Sequence, residues 1–98
     1  MAGKFQLHVA GDLIMMAAIV IAVIIGAHIL FVALEANPAN DIVSTDADWA
    51  GWFATWFKDM FTTSSYKWGV FLNYGLAALF YLVVGGVLRG VVNGLQKP

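Results

Sequence analysis

The residue types that are able to do chemistry are rare inside two long apolar segments of this 98-residue chain. His28 is the one titratable residue deep within the first segment, and Asn73 is the main polar residue of the second. Ionisable groups inside an apolar helix are candidates for function, because a charge there is costly. A neutral imidazole can ligate haem iron or the magnesium of a chlorophyll, so His28 is a candidate cofactor-binding residue.

Each of these polar residues also has a structural interpretation. A single His on one helix is much less specific than a paired ligand motif, and an imidazole also hydrogen-bonds a backbone carbonyl or a neighbouring helix. No cofactor is required by the sequence, and a macrocycle at His28 is the one cofactor interpretation. Glu35 would extend His28 into a proton relay, but its position at a helix end favours a solvated carboxylate. We expect Asn73 to hydrogen-bond across to another helix.

No catalytic constellation accompanies these residues. The sequence has no nucleophile paired with a base, no pair of carboxylates within an apolar segment, no phosphate-binding loop and no cluster of metal ligands. It also has no cysteine, and its net charge of −1 provides no basic surface for nucleic acid. We therefore expect a protein that is not an enzyme and does not bind nucleic acid.

The composition favours lipid as the solvent of this chain. Hydrophobic residues make up 61% and charged residues 11%, against about 45–50% and about 25% in soluble domains. The segment at about 13–34 would reach roughly 33 Å as a helix, enough to cross a bilayer, and so would that at about 69–92. A signal peptide would have a shorter apolar region and an A-x-A site after it. We expect Asp12 to cap the first helix, and Ser64 or Ser65 the second.

The connecting segment contains an amphipathic helix, which we place at about 47–62. Its large apolar side chains recur at helical spacing on one face, and Ser44, Thr45 or Asp46 would cap it. Because it is too short to span and rich in Trp, we expect it to lie in the membrane–water interface. Packing against a partner protein is the alternative. The predicted interfacial residues, including two at the start of the second span, are Trp49, Trp52, Phe53, Trp56, Phe57, Met60, Phe61, Tyr66 and Trp68.

Small residues recur every four positions on both apolar segments. Such stripes let helix backbones approach closely in lipid, where close packing replaces the hydrophobic drive. The three-glycine run of the second segment is the cleaner of the two stripes. The predicted helix-packing residues are Ala18, Ala22, Gly26, Gly75, Ala78, Gly86, Gly90 and Gly94.

The expected fold is an all-α integral membrane protein with a single domain over residues 1–98. It is a two-transmembrane helical hairpin with the interfacial helix in the connecting loop. Three basic residues lie near the chain ends and two in the connection, which favours a cytoplasmic location for both ends, N-in and C-in. We expect a multi-pass protein of the cytoplasmic (inner) membrane of a prokaryote.

The sequence favours a small non-catalytic accessory subunit of a larger membrane complex, such as a respiratory or photosynthetic one. Two small-residue stripes and a Trp-rich face are more packing surface than one copy can bury. The expected partners are the lipid bilayer and other membrane subunits or copies of the chain. One alternative is a homo-oligomeric, holin-like pore, although neither segment has a polar stripe to line water. Another is a haem- or chlorophyll-binding subunit that uses His28.

Overall fold

Three α-helices and their connections account for the chain in a computed structural model, which describes the backbone of residues 2–95 and the side chains of residues 9–95. The helices are α1 (Ala2–Ala33), α2 (Asp41–Phe53) and α3 (Tyr66–Gly94), and no strand occurs between residues 2 and 95. The all-helical prediction is therefore confirmed. Within α1 and α3, the segments Val9–Ala33 and Tyr66–Gly94 are long and apolar enough to cross a membrane.

The two long helices lie side by side and run in opposite directions. Their close approach depends on small residues, because a Cβ placed on Gly85 would overlap the Cβ of Ala18. An ion pair lies near each end of the pair of helices. The contacts that fix the direction are Asp12 with Arg89, Ala18 with Gly85, His28 with Tyr74, and Glu35 with Lys67.

The hydrophobic core is small and lies where α2 packs against the two long helices. Its fully buried members are Ile25, Ala50, Ala54 and Ala77, and Ile25 is the one large side chain among them. Only 17% of the most apolar window of α1 and 11% of that of α3 is buried within the chain. The helix that closes the core of a soluble domain is mostly buried, so the exposure of these two helices distinguishes them from core helices.

The start of α1 differs from the expected one. The helix begins at Ala2, so that Asp12 lies inside it and does not cap it. The Asp12 carboxylate instead pairs with the Arg89 guanidinium of α3 at 2.8 Å. At its other end α1 stops in a Schellman-type turn, in which the N–H of Ala36 bonds the carbonyl of Phe31 and Glu35 adopts a left-handed φ of 55°.

The boundaries of α2 also differ from the expected 47–62. Asn40 is its N-cap, and its side-chain oxygen accepts hydrogen bonds from the backbone N–H groups of Ile42 and Val43 at 2.9 and 3.3 Å. The predicted caps Ser44, Thr45 and Asp46 therefore lie within the helix. An Asn side chain in an extended residue satisfies the free N–H groups of the first turn as well as Ser or Asp does. The N-cap of α3 is Ser65, which is one of the two residues predicted for this position.

The helix α2 ends at Phe53, and the chain continues through turns to residue 61. The Thr55 hydroxyl donates to the carbonyl of Trp52 at 2.6 Å, a local bond that competes with continued helix. Further along, Asn73 of α3 holds the backbone of Lys58 and Phe61. The apolar periodicity of the sequence continues past Phe53, but the helix does not. Beyond it, backbone groups of Lys58 and Phe61 bond the Asn73 side chain.

Candidate functional site

His28 lies beneath α2, where all three helices meet. Its side chain is 8% exposed, and its ring packs on the ring of Tyr74 with centroids 4.6 Å apart. The expected hydrogen bond to a backbone carbonyl or neighbouring helix is not formed with any described residue. Asp46 of α2 is the nearby carboxylate that interacts electrostatically with His28. Burial raises the pKa of Asp46 above its usual value, and the neighbouring His28 opposes that rise.

Asn73 is the second buried polar residue at this level, 4% exposed. Its Oδ1 accepts from the N–H of Phe61 at 2.6 Å, and its Nδ2 donates to the carbonyls of Lys58 and Phe61 at 3.0 and 2.9 Å. The expected bond to another helix is thus replaced by three bonds to the turn after α2. Asn73 fastens this turn to α3, which gives it a structural role.

Tyr81 makes an equivalent attachment at the end of α2. Its hydroxyl donates to the carbonyl of Phe53 at 2.6 Å and so satisfies one of the free carbonyls of the last helical turn. Its ring also meets the ring of Phe53 edge-on, with centroids 6.0 Å apart. The sequence gives no sign of this role, because a Tyr within a long apolar run is equally consistent with an exposed position.

A cavity of about 450 Å³ lies beside His28, between the end of α1, the first half of α2 and the start of α3. Glu35 and Lys67 lie at its edge, where the two side chains are exposed and their charged groups are 3.8 Å apart. Glu35 therefore forms an ion pair with α3 and does not extend His28 into a proton relay. The remaining lining residues are Phe31, Val32, Ala36, Pro38, Val43, Ser44, Ala47 and Tyr66.

The described side chains at this site offer hydrogen bonds and apolar contacts to a ligand. Among the described side chains, no group of three His, Asp or Glu residues is placed to hold a metal ion. The His28 imidazole is 8% exposed and packed on Tyr74, and the cavity beside it is the space through which a ligand could approach. Of the predicted cofactor site, the described residues show a buried imidazole, His28, with a cavity beside it.

The predicted interfacial residues divide into two groups. Phe53 and Phe57 turn inward and meet the rings of Tyr81 and Phe80. The others are exposed, and the exposed fraction reaches 85% at Trp56. The reason is that Ala50 and Ala54 form the inner face of this segment, since their small side chains permit close packing. The exposed members are Trp49, Trp52, Trp56, Met60, Phe61, Tyr66 and Trp68.

The predicted helix-packing residues divide in the same way. Ala18 is buried against Gly85, a contact that the search for four-residue stripes missed. Ala78 packs partly against the core, and Ala22 is half-buried. At the other predicted positions an added Cβ would have no described atom within 4 Å, so these positions make no close contact of the kind seen at Gly85 with the described residues. These positions are Gly26, Gly75, Gly86, Gly90 and Gly94.

Comparison with known proteins adds no relative to this description. No protein-family model matches the chain, and neither the curated proteins nor the solved structures show a significant similarity to it.

Proposed function

We propose that this chain is a small non-catalytic subunit of an integral-membrane assembly, built as a transmembrane helical hairpin. The observation that carries the proposal is the pair of ion pairs at opposite ends of α1 and α3. Residues 12 and 35 are 23 positions apart, and residues 67 and 89 are 22 positions apart, which corresponds to about 33–35 Å of helix. No Asp, Glu, Lys or Arg lies between them on either helix. This length is enough to contain a hydrocarbon core of about 30 Å.

The position of α2 supports a membrane boundary near His28 and Asn73. Asp46 of α2 interacts with His28, and the Lys58 carbonyl bonds Asn73, so polar groups collect at this level. From residue 12 to residue 28, and from residue 73 to residue 89, the chain has 16 positions, or about 24 Å of helix. The layer without charged groups on any helix is therefore slightly thinner than an average hydrocarbon core, which a bilayer accommodates by local thinning.

The exposed Trp residues of the connecting segment support the same boundary. Trp49 and Trp52, in the second half of α2, and Trp56, just after its end, are exposed. Trp is favoured at the headgroup level because its ring is apolar and its N–H is polar. We therefore propose that α2 lies at the membrane surface while its alanine face packs on α1 and α3.

The proposed accessory role is supported by helix surface that the described residues leave uncovered. Gly86, Gly90 and Gly94 form a stripe on α3 at which an added Cβ would have no described atom within 4 Å. Glycine in a helix interior costs about 1 kcal/mol relative to Ala in water, and in lipid it allows a second helix to approach closely. A stripe of this kind supports packing against another membrane helix, from a different subunit or from a second copy.

Cysteine labelling tests the hairpin and its orientation, and the chain has no Cys of its own. Ala39→Cys marks the connection, and Gln96→Cys marks the C-terminal end. With both ends in the cytoplasm, a membrane-impermeant maleimide added to intact cells should label Ala39→Cys only. Labelling of Gln96→Cys only would reverse the orientation, and labelling of both or neither before lysis would overturn the hairpin.

Native gel electrophoresis tests the accessory role. Gly86→Leu and Gly90→Leu add side chains to the open stripe and should disrupt assembly, while the chain still inserts. Val87→Leu is the matched control, because Val87 is exposed on the same helix and already has a side chain. If both glycine variants migrate in the same complex as the control, the stripe has no role in assembly.

A further inference from the structure

The cavity beside His28 has the features of a small-molecule site. Its volume of about 450 Å³ lies within the range of about 300–1,000 Å³ that is usual for such sites. We propose that it binds an uncharged, lipid-soluble ring compound that carries a carbonyl oxygen, of the benzoquinone type, and that His28 donates a hydrogen bond to that oxygen. The source of such a compound rests on the proposed membrane location, since the cavity then opens near the headgroups.

His28 can form hydrogen bonds with a ligand in the cavity. A neutral imidazole has one N–H donor and one acceptor nitrogen. The residue is 8% exposed, and no hydrogen bond joins its ring to a described residue, but its nitrogens are not among the fully enclosed atoms that have no partner. They are therefore accessible to a hydrogen-bonding partner from outside the chain, either water or a ligand. The cavity is the space adjoining the imidazole from which that partner can come.

The charged groups around the cavity limit the charge of the ligand. Glu35 at the edge of the cavity is paired with Lys67, and Asp46 of α2 interacts electrostatically with His28 without lining the cavity. An anion at His28 would therefore meet the negative charge of Asp46. A cation would have to pass the Lys67 ammonium and would find no free carboxylate lining the cavity. The charges around the cavity favour an uncharged ligand with a polar oxygen.

The walls of the cavity favour a ligand with a flat ring. The walls are mainly apolar, and the rings of Phe31 and Tyr66 contribute to them. Aromatic side chains pack favourably against a flat ring in offset or edge-on geometry. A phospholipid would place an acyl chain next to the His28 imidazole and leave it without a hydrogen bond. A ring compound with a carbonyl group satisfies both the apolar walls and the imidazole.

The test uses the full chain purified in detergent and decyl-benzoquinone as the probe. The chain has two His residues, so a His8→Gln background leaves His28 as the single imidazole for ¹⁵N NMR. Titration should give a saturable shift of its ring nitrogens. The absence of a saturable shift would overturn the site. Displacement of the quinone by an equal concentration of phospholipid would assign the cavity to an acyl chain and would also overturn it.

Cavity-filling variants separate binding in the cavity from partition into the micelle. Ala47→Phe and Val43→Phe fill the cavity from α2 and should weaken binding about tenfold or more, because a misfit in an apolar pocket costs at least that much. Thr45→Phe is the matched control, since Thr45 is exposed on the same helix and does not line the cavity. Two cavity-filling variants are made because one of them could fail to fold. The binding comparison uses a variant whose helix content equals that of the wild type. Equal dissociation constants in the filling and control variants would refute the proposal.

The test of quinone binding can fail or succeed independently of the tests of the accessory role. Binding is measured on the isolated chain, whereas insertion and assembly are measured by labelling and native gels. Loss of quinone binding with correct insertion would overturn the site alone. Binding without insertion or assembly would overturn the membrane role alone.

Discussion

The contact between Gly85 of α3 and Ala18 of α1 provides the most direct test of how the two long helices pack. A Cβ at Gly85 would overlap the Cβ of Ala18 and would lie 3.5 Å from the sulfur of Met15. The overlapping atom belongs to the rigid base of a side chain, so the helices themselves must separate. The adjacent Gly86 has nothing within 4 Å of such a Cβ. Gly85→Ala and Gly86→Ala are therefore the same chemical change in opposite environments.

The expected magnitudes follow from these contacts. Overpacking in a well-packed contact destabilises by about 1–3 kcal/mol, while replacing Gly by Ala inside a helix gains up to about 1 kcal/mol. Gly86→Ala should be as stable as the wild type or slightly more stable. Gly85→Ala should be less stable than Gly86→Ala by about 1–3 kcal/mol, because both share the helix-propensity gain and only one has the overlap.

Unfolding in mixed detergent and SDS micelles, followed by tryptophan fluorescence, measures this difference. The double variant Ala18→Gly with Gly85→Ala again places one glycine opposite one alanine at the contact. It should therefore recover most of the stability that Gly85→Ala alone loses. The reasoning would be refuted if Gly85→Ala were as stable as Gly86→Ala, or if the exchange variant were no more stable than Gly85→Ala alone.

Three further outcomes concern the attachment of α2. Asn73→Leu removes three hydrogen bonds and leaves the Phe61 N–H unpaired, so the turn should open more easily by about 1–3 kcal/mol; unchanged amide hydrogen exchange at Phe61 would contradict this. Tyr81→Phe should cost about 0.5–1.5 kcal/mol through the lost bond to Phe53, seen in the same SDS titration, and equal stability would argue against that bond. Burial raises the pKa of Asp46 above 3.8, so the docked state binds the proton more tightly. Docking of α2 should therefore strengthen as the pH falls through the raised pKa towards 3.8, and it should weaken as the pH rises again. Tryptophan fluorescence should report this change in docking, and Asp46→Asn should abolish the change.

Local signals in the sequence account for the parts of the fold that were predicted correctly. Helix formation, the two long apolar segments and the cap at Ser65 depend on hydropathy and on side-chain to backbone bonds within a few residues. The boundaries of α2 were wrong because its end is decided by distant residues. Asn73 is more than ten positions from the turn that it holds, and Asn40 competes as a cap with three other suitable residues.

The candidate site was predicted in part. His28 was recognised as a buried polar residue, but its neighbours Asp46 and Tyr74 come from different helices, and no periodicity indicates that they meet. The same holds for the cavity, whose lining combines residues of all three helices and of the turn after α1. A residue type can indicate that a polar group is unusual, but the partner of that group depends on how the helices are arranged in space.

The sequence by itself determined the helical class, the two apolar segments and the presence of small-residue stripes, because each depends on spacing along one helix. Only the tertiary structure decided which small residues pack. Gly85 and Ala18 meet, whereas Gly86, Gly90 and Gly94 remain open, although neighbouring positions on one helix look alike in the sequence. Successive helical residues point about 100° apart, so the direction from which α1 approaches α3 decides which of two adjacent glycines is in contact with α1 and which is not.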